Sequence, residues 1–272
     1  MGAVKRVGLI GCGGIGRAVV DILGREGAAN GVSLGAVLVR PARVDETRAI
    51  VPKEVAVVSD VDALVAAAPD LIGECAGHGA VREHGAAVLE RGADLVVIAI
   101  GALADDALER RLRAAAEKAD ARITLPAGAV GGLDVLAAAR LAGLDRVTYT
   151  SRKKPAAWKG TPAEKAIDLD RVREATVFYR GKARQAARDY PQNANVAAAI
   201  GLAGMGLDAT DVVLSADPGV GGNEHRIVAE GAFGRSEMTI LGKPMPGNAR
   251  TSMLAALSLA RALLNAGARV VI

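Results

Sequence analysis

The chain has 272 residues, 51% of them hydrophobic, with 34 Lys and Arg against 30 Asp and Glu and a formal net charge of +4. That is enough apolar material for two cores, and the mild basicity suits anionic small ligands such as a phosphorylated cofactor and a carboxylate substrate. Aromatics at 2% leave no stacking platform for single-stranded nucleic acid, and two cysteines outside any C-x-x-C spacing exclude a disulfide framework or a zinc site.

The chain enters a strand pattern almost at once, with no signal-peptide layout and no apolar run near the roughly 20 residues of a membrane helix. A soluble, cytoplasmic protein with no membrane or nucleic-acid partner and no metal is expected. The first apolar run, 7–10, leads into Gly11-Cys12-Gly13-Gly14-Ile15-Gly16 and then a helical pattern over 14–25. Strand, G-x-G-x-x-G and helix in that order is the context in which the motif means dinucleotide binding. Gly11 permits the tight turn, Gly13 lets backbone approach a pyrophosphate, and Gly16 lets helix and strand pack closely. Gly14 and Ile15 open the helix, whose unpaired N–H groups face the phosphates. Cys12 reads as a small residue within this loop.

Short β-branched runs follow at 34–39, 71–74, 95–98 and 122–125, alternating with helical patterns at 60–67, 80–91 and 105–119. Such alternation builds a parallel sheet covered on both faces, a Rossmann-type doubly wound domain over 1–125. Its ligand crevice lies at the C-terminal strand ends. An Asp or Glu about 20 residues past the glycines grips the ribose of NAD, whereas an Arg accommodates the 2′-phosphate of NADP. Here the second strand ends in Arg40, with Arg43 close behind. A planar, permanently charged guanidinium suits phosphate, so NADP(H) is favoured and NAD(H) accepted; the alternative is that Arg40 is a surface residue at a strand end.

From Pro126 the pattern changes. A glycine-rich loop, 126–132, precedes a helix at 133–142, and candidate strands lie at 146–151, 175–180, 212–216, 226–230 and 237–241. These predict an α+β second domain with one open sheet over 126–245. Thr161-Pro162-Ala163-Glu164 reads as a capping box with proline at the first helical position. The stretch 248–265 reads as a long Ala/Leu helix with Asn248 as N-cap and Gly267 as its stop. Returning to the first domain, the segment 246–272 completes it.

Three histidines are the candidates for acid–base work. His78 and His84 fall around a helix start bordering the crevice and read as exposed. In Glu224-His225-Arg226-Ile227-Val228-Ala229-Glu230, period-2 alternation puts His225 on the apolar face with Ile227 and Ala229. A histidine there is either a satisfied core residue or, entered by the glycine-rich loop 218–223, part of a cleft. Within Tyr190-Pro191-Gln192-Asn193-Ala194-Asn195, Asn195 reads as a helix N-cap, with a ligand contact as the alternative. The cationic loop Ser151-Arg152-Lys153-Lys154 is either a carboxylate site or a solvated basic turn.

Taken in order, the glycine motif, Ile100-Gly101-Ala102-Leu103, Pro126-Ala127-Gly128-Ala129-Val130-Gly131-Gly132, Ser151-Arg152-Lys153 with Trp158, Pro191-Gln192-Asn193-Ala194-Asn195, and Asn223-Glu224-His225-Arg226-Ile227 resemble the L-aspartate dehydrogenase family across essentially the whole chain. The resemblance implies an architecture like that of dihydrodipicolinate reductase and homoserine dehydrogenase, often a homodimer formed through the second domain's sheet. It implies NAD(P)-dependent, reversible oxidative deamination of L-aspartate to iminoaspartate, which yields oxaloacetate and ammonia or feeds NAD biosynthesis. It further implies that His225 is the active-site residue and that Ala129 and Asn195 contact the dinucleotide; Lys153 and Lys154 are the candidates for the substrate carboxylates. The rival expectations are an oxidoreductase of the same architecture acting on another amino acid or semialdehyde, and a non-catalytic nucleotide-binding regulatory module.

Overall fold

The computed structural model describes residues 4–191, 195–246 and 248–271. The chain divides into two compact units, Met1–Pro126 with Ala256–Ile272, and Ala127–Ala255. No helix among the described residues is long and apolar enough to cross a membrane.

The first unit is built on six parallel strands, β1 (Lys5–Ile10), β2 (Val32–Leu38), β3 (Ala56–Val58), β4 (Leu71–Glu74), β5 (Asp94–Val97) and β6 (Ile123–Thr124). Their order in the sheet is β3-β2-β1-β4-β5-β6. The order reverses between β1 and β4, the place where doubly wound sheets open a ligand crevice beyond their carboxyl ends. Val7, Leu9, Ile72, Leu95 and Val97 are fully sealed, as strands covered on both faces require. The helix Gly14–Glu26 turns Gly16, Val19, Val20 and Leu23 inward, and Asp106–Ala119 does the same with Leu108, Leu112, Ala115 and Ala116. Spacings of three and four residues put each set on one helical face. Asp60 and Asp105 cap their helices, accepting from the backbone N–H groups of Ala63 and of Ala107 and Leu108. The three-residue strand β3 is not among the expected elements, because it is too short to show alternation.

The last helix runs Met253–Leu264 and packs on the first sheet. A Cβ on Gly73 in β4 would stand 3.3 and 3.2 Å from methyl carbons of Leu259 and Leu263, so the glycine leaves the helix its seat. The expected start of this helix is corrected: Asn248–Ser252 is a strand paired with Pro244–Met245, and the helix begins at Met253. The Leu254 N–H donates to the Ser252 hydroxyl at 3.3 Å. The apolar helical repeat begins only at Met253, and the residues before it pair with a proline-led strand.

The second unit holds β7 (Leu144–Lys153), β8 (Thr176–Lys182), β9 (Asp211–Ala216), β10 (Asn223–Gly231) and β11 (Gly234–Gly242) in the order β11-β10-β7-β9-β8. Only β7 and β9 run parallel; the sheet is open and mixed. One face is buried, carrying Val147, Tyr149, Ser151 and Lys153 from β7, Val212, Leu214 and Ala216 from β9, and Asn223, His225, Ile227 and Ala229 from β10. Helices Leu133–Ala139 and Asn195–Ala203 pack on each other, and Arg140 donates to the Leu202 carbonyl where their C-terminal ends meet. All six aromatic residues, Tyr149, Trp158, Phe178, Tyr179, Tyr190 and Phe233, belong to this unit. Trp158 is sealed, donates its indole N–H to the Ser215 carbonyl at 3.0 Å, and meets Phe178 and Tyr190 edge-on.

The expected capping box at Thr161 does not form. The helix is the single turn Ala163–Ala166, the Thr161 hydroxyl donates to the Trp158 carbonyl, and Glu164 offers its backbone N–H to the Thr161 carbonyl. One turn is too short to gain from a reciprocal cap, and the hydroxyl oxygen accepts from Ala163, at 3.3 Å, rather than from Glu164.

Candidate active site

In the first unit the glycine motif makes a cradle whose parts can be told apart by what a side chain would meet. Gly11 has φ +103°, and a Cβ there would stand 2.8 Å from that of Ala76. A Cβ on Gly16 would stand 2.5 Å from the Gly11 carbonyl oxygen. Gly13 is different, with open space around the corresponding position. Gly11 and Gly16 are therefore demanded by the protein's own packing, whereas Gly13 keeps clear a surface that something else approaches. The helix Gly14–Glu26 begins beside it with no side-chain cap, so its first N–H groups, those of Gly14 and Ile15 among them, are left for an anion. These features fit a dinucleotide pyrophosphate.

At the end of β2, Glu46 gathers the guanidinium groups of Arg17 and Arg43. The exposed Arg40 guanidinium makes no ion pair or hydrogen bond among the described residues. Both thiols are poor nucleophiles. Burial pushes up the Cys12 pKa, and it pushes that of Cys75 well above the usual range while its Sγ leans on the Gly11 carbonyl at 3.2 Å.

Glu74, at the end of β4, is a buried carboxyl that the motif search passes over. One oxygen accepts from Ala76 and Gly77 at 2.8 and 2.6 Å, and the other from Ala99 at 3.1 Å, so it ties the turns after β4 and β5 together. Burial pushes its pKa up to about 7, with the backbone N–H groups pulling the other way.

In the second unit the buried face of the sheet carries a row of polar groups at one end. His225 pairs with Ser151 across β10 and β7, two residues from Tyr149 on the same face. Tyr149 Oη lies 2.7 Å from His225 Nδ1. Lys153 continues the row, 3% exposed, with its ammonium 5.3 Å from the centre of the Trp158 ring. Burial pushes the His225 pKa down to about 3, and the Lys153 charge adds to that. Burial likewise brings Lys153 down to about 8. The imidazole is thus neutral throughout the working range and disposed to accept a proton rather than store one. Ser151 Oγ and Asn223 Nδ2 are buried without a hydrogen-bond partner among the described residues.

Comparison with known proteins bears on both units. The family model "Homoserine dehydrogenase, NAD binding domain" matches residues 11–126, and "Aspartate dehydrogenase, C-terminal" matches 134–266. A curated L-aspartate dehydrogenase of a Polaromonas species is 46% identical over 268 residues, covering 98% of this chain and 99% of the relative. That of Ralstonia pickettii is 46% identical over 260 residues, covering 95% and 96%. The chain belongs to the L-aspartate dehydrogenase family. Its first unit binds a pyridine nucleotide, and the protein is an oxidoreductase. The crystal structure of an aspartate dehydrogenase from Thermotoga maritima matches with a TM-score of 0.75 at 25% identity, covering 98% of this chain and 99% of that one. A hyperthermophilic archaeal homoserine dehydrogenase in complex with NADPH shares the fold, with a TM-score of 0.62 at 12% identity and coverage of 96% and 97%.

For this member of the family the structure separates the sequence candidates. Lys153 joins the His225 row, but Lys154, one residue on, lies past the end of the strand, where the chain turns into Pro155–Trp158, and is exposed. Arg152 turns away, to Asp217 and Glu224, because successive strand residues point oppositely. Ala129 lies buried in the loop before the helix Leu133–Ala139, and Asn195 is the first residue of the helix packed on it rather than the residue preceding a helix. Gln192, Asn193 and Ala194 lie outside the described residues. His78 opens the helix His78–Glu90, where His84 sits 3.8 Å from Glu83; both belong to the first unit, whereas the polar row belongs to the second. Tyr149 was not among the candidates, and Ser151 and Asn223 stood only as members of the motifs, without roles of their own. Their signal was parity: each shares alternation with Lys153 or His225.

Proposed function

We propose that the protein oxidises L-aspartate to iminoaspartate with a nicotinamide dinucleotide, NADP(H) in preference to NAD(H), using His225 as its proton acceptor. The observation that supports this most is the match to curated L-aspartate dehydrogenases across both units at 46% identity. The neutral, buried imidazole in the second unit is the group such a reaction asks for. When bound, the dinucleotide supplies the two-electron acceptor for the hydrogen on the substrate α-carbon.

The chain's own residues do the rest. His225 Nε2 takes a proton from the substrate ammonium, and the freed lone pair forms the C=N bond as the Cα–H bond breaks. Lys153 holds a substrate carboxylate. In doing so it lends its charge to the carboxylate and ceases to depress the imidazole, so His225 becomes a stronger base only once substrate is present. Water added to the C=N carbon expels ammonia and leaves oxaloacetate; the imine itself is also the form that NAD biosynthesis consumes. Gly11, Gly13, Gly14, Ile15 and Gly16 hold the pyrophosphate, Arg40 the 2′-phosphate, and Ala129 and Asn195 complete the dinucleotide contacts. The protein is a homodimer joined through its open second sheet, which sedimentation velocity tests.

The deciding experiment follows NADPH absorbance with L-aspartate and NADP+, and with oxaloacetate, ammonia and NADPH. Turnover in both directions is expected, and none in either rejects the reading. His225→Ala is expected to lower kcat by about 100-fold or more while leaving the NADPH dissociation constant within a factor of about two. Survival of activity makes His225 a core residue only.

A further inference from the structure

The direction of the Tyr149–His225 contact depends on which tautomer the ring adopts. A phenol has one proton to donate, and a buried one needs an acceptor. Two groups lie beside this oxygen: His225 Nδ1 at 2.7 Å, and the Ser151 hydroxyl, which misses normal hydrogen-bond geometry yet stands close enough to act on the phenol as a donor. With the phenol proton on the contact of normal geometry, Nδ1 is the unprotonated nitrogen and the ring proton sits on Nε2. No other hydrogen-bond partner of the ring is present among the described residues.

That tautomer is the wrong one for a base acting at Nε2. To accept a proton there, the neutral ring must carry its own proton on Nδ1, and the phenol oxygen must turn from donor to acceptor. The phenol proton then needs somewhere to go, and the unpartnered Ser151 Oγ is in place. We propose that Tyr149 is the positioning residue of this site: it sets which nitrogen of His225 meets the substrate, and with Ser151 it forms a hydrogen-bond relay whose direction reverses between the resting and the reactive ring. The inference rests on His225 being the proton acceptor.

The protons balance without any charge on the phenol. In the resting form the ring holds one proton on Nε2, and Tyr149 donates to Nδ1. In the reactive form that single ring proton has exchanged through water to Nδ1, Nδ1–H donates to the Tyr149 oxygen, and Tyr149 O–H donates to Ser151 Oγ. The substrate ammonium then passes a proton to Nε2, and the resulting imidazolium keeps both of its N–H groups. Burial holds the phenol pKa well above its usual value, so Tyr149 keeps its proton throughout. Among the described residues, the one charged group that acts on the ring is Lys153, further along the same strand as Tyr149 and Ser151.

The test is a two-bond nitrogen–proton correlation spectrum of the 15N-labelled protein, in which three histidines are resolved and His225 is assigned with His225→Gln. The free protein is expected to show a neutral His225 protonated on Nε2 from pH 6 to 9. A ring protonated on Nδ1 overturns the proposal, with no variant required. Tyr149→Phe keeps the ring volume and removes the oxygen. It is expected to mix the two tautomers and lower kcat by about 10- to 100-fold with KM within about threefold. Ser151→Ala is expected to leave the resting tautomer unchanged and lower kcat alone. Wild-type kcat in Tyr149→Phe overturns the relay if His225→Ala is inactive; wild-type kcat in His225→Ala removes the underlying reading instead.

Discussion

The ammonium of Lys153 and the imidazole of His225 occupy the same buried face of one sheet, and the first lowers the proton affinity of the second. Neither charge is comfortable there: burial alone brings Lys153 down to about 8 and is the larger cause of His225 standing at about 3. An anion arriving at Lys153 relieves both at once.

This relation sets a pH dependence. Lys153 is charged below about pH 8 and neutral above it. The inhibition constant of a dicarboxylate that lacks an amine should rise as pH passes through 8, by about tenfold per unit at the steep end. Lys153→Met should be weak and flat across the same range. Stability carries the same signature with the opposite benefit. A lysine whose folded pKa is depressed costs the fold stability while the group is charged, and that cost disappears as pH rises from 8 toward 10.5. The wild type should gain in urea midpoint over that window relative to Lys153→Met; parallel curves would show that the ammonium is not buried.

Arg40 is the residue proposed to choose between the dinucleotides. Arg17 and Arg43 are engaged by Glu46, so on the proposed reading Arg40 is the guanidinium that meets a 2′-phosphate. Arg40→Asp should weaken NADPH binding by about 10- to 100-fold and NADH binding by less than about threefold, as measured by calorimetry. Equal losses would show that Arg40 does not touch the phosphate.

Two glycines of one motif should fail differently. Gly13→Val puts a side chain into open space, so melting should stay within about 2 °C of wild type while dinucleotide affinity falls by at least about tenfold. Gly16→Ala drives a methyl into the Gly11 carbonyl and should lower the melting temperature in the absence of any ligand.

Glu74 predicts a loss of stability on the alkaline side. Its folded pKa stands near 7 against an ordinary 4.5, so the folded protein binds the proton more tightly than the unfolded chain does. The resulting stabilisation is complete below about pH 4.5 and is lost as pH rises through 7, at most on the order of 3 kcal/mol. Glu74→Gln should flatten denaturation midpoints between pH 5 and 8, and an unchanged slope would show that Glu74 is not the group responsible.

Much of the fold was legible because each unit repeats one physical pattern. Alternating short β-branched runs and amphipathic helices read directly as a doubly wound sheet, and a glycine turn between strand and helix read as its phosphate end. What failed were local competitions. Asn248 is a good cap by residue type, yet strand pairing with Pro244–Met245 took it. Thr161 met the short helix through the Ala163 N–H, while its own proton went to the Trp158 carbonyl. At the site, alternation placed His225 on the buried face, and Lys154 parts from Lys153 because the strand ends at Lys153. The partner of His225 was not legible, since the Tyr149–Ser151 strand meets it only through a pairing between positions 76 residues apart. Glu74 was hidden by its company, a carboxyl closing an apolar strand.

The seat that Gly73 leaves for Leu259 and Leu263 also governs how the protein is made. The first unit begins at the start of the chain but is closed by a helix synthesised only after the whole of the second unit, Ala127–Ala255. A nascent chain therefore finishes its later unit while the earlier sheet still waits with one flank bare, the reverse of the usual order in which domains leave the ribosome.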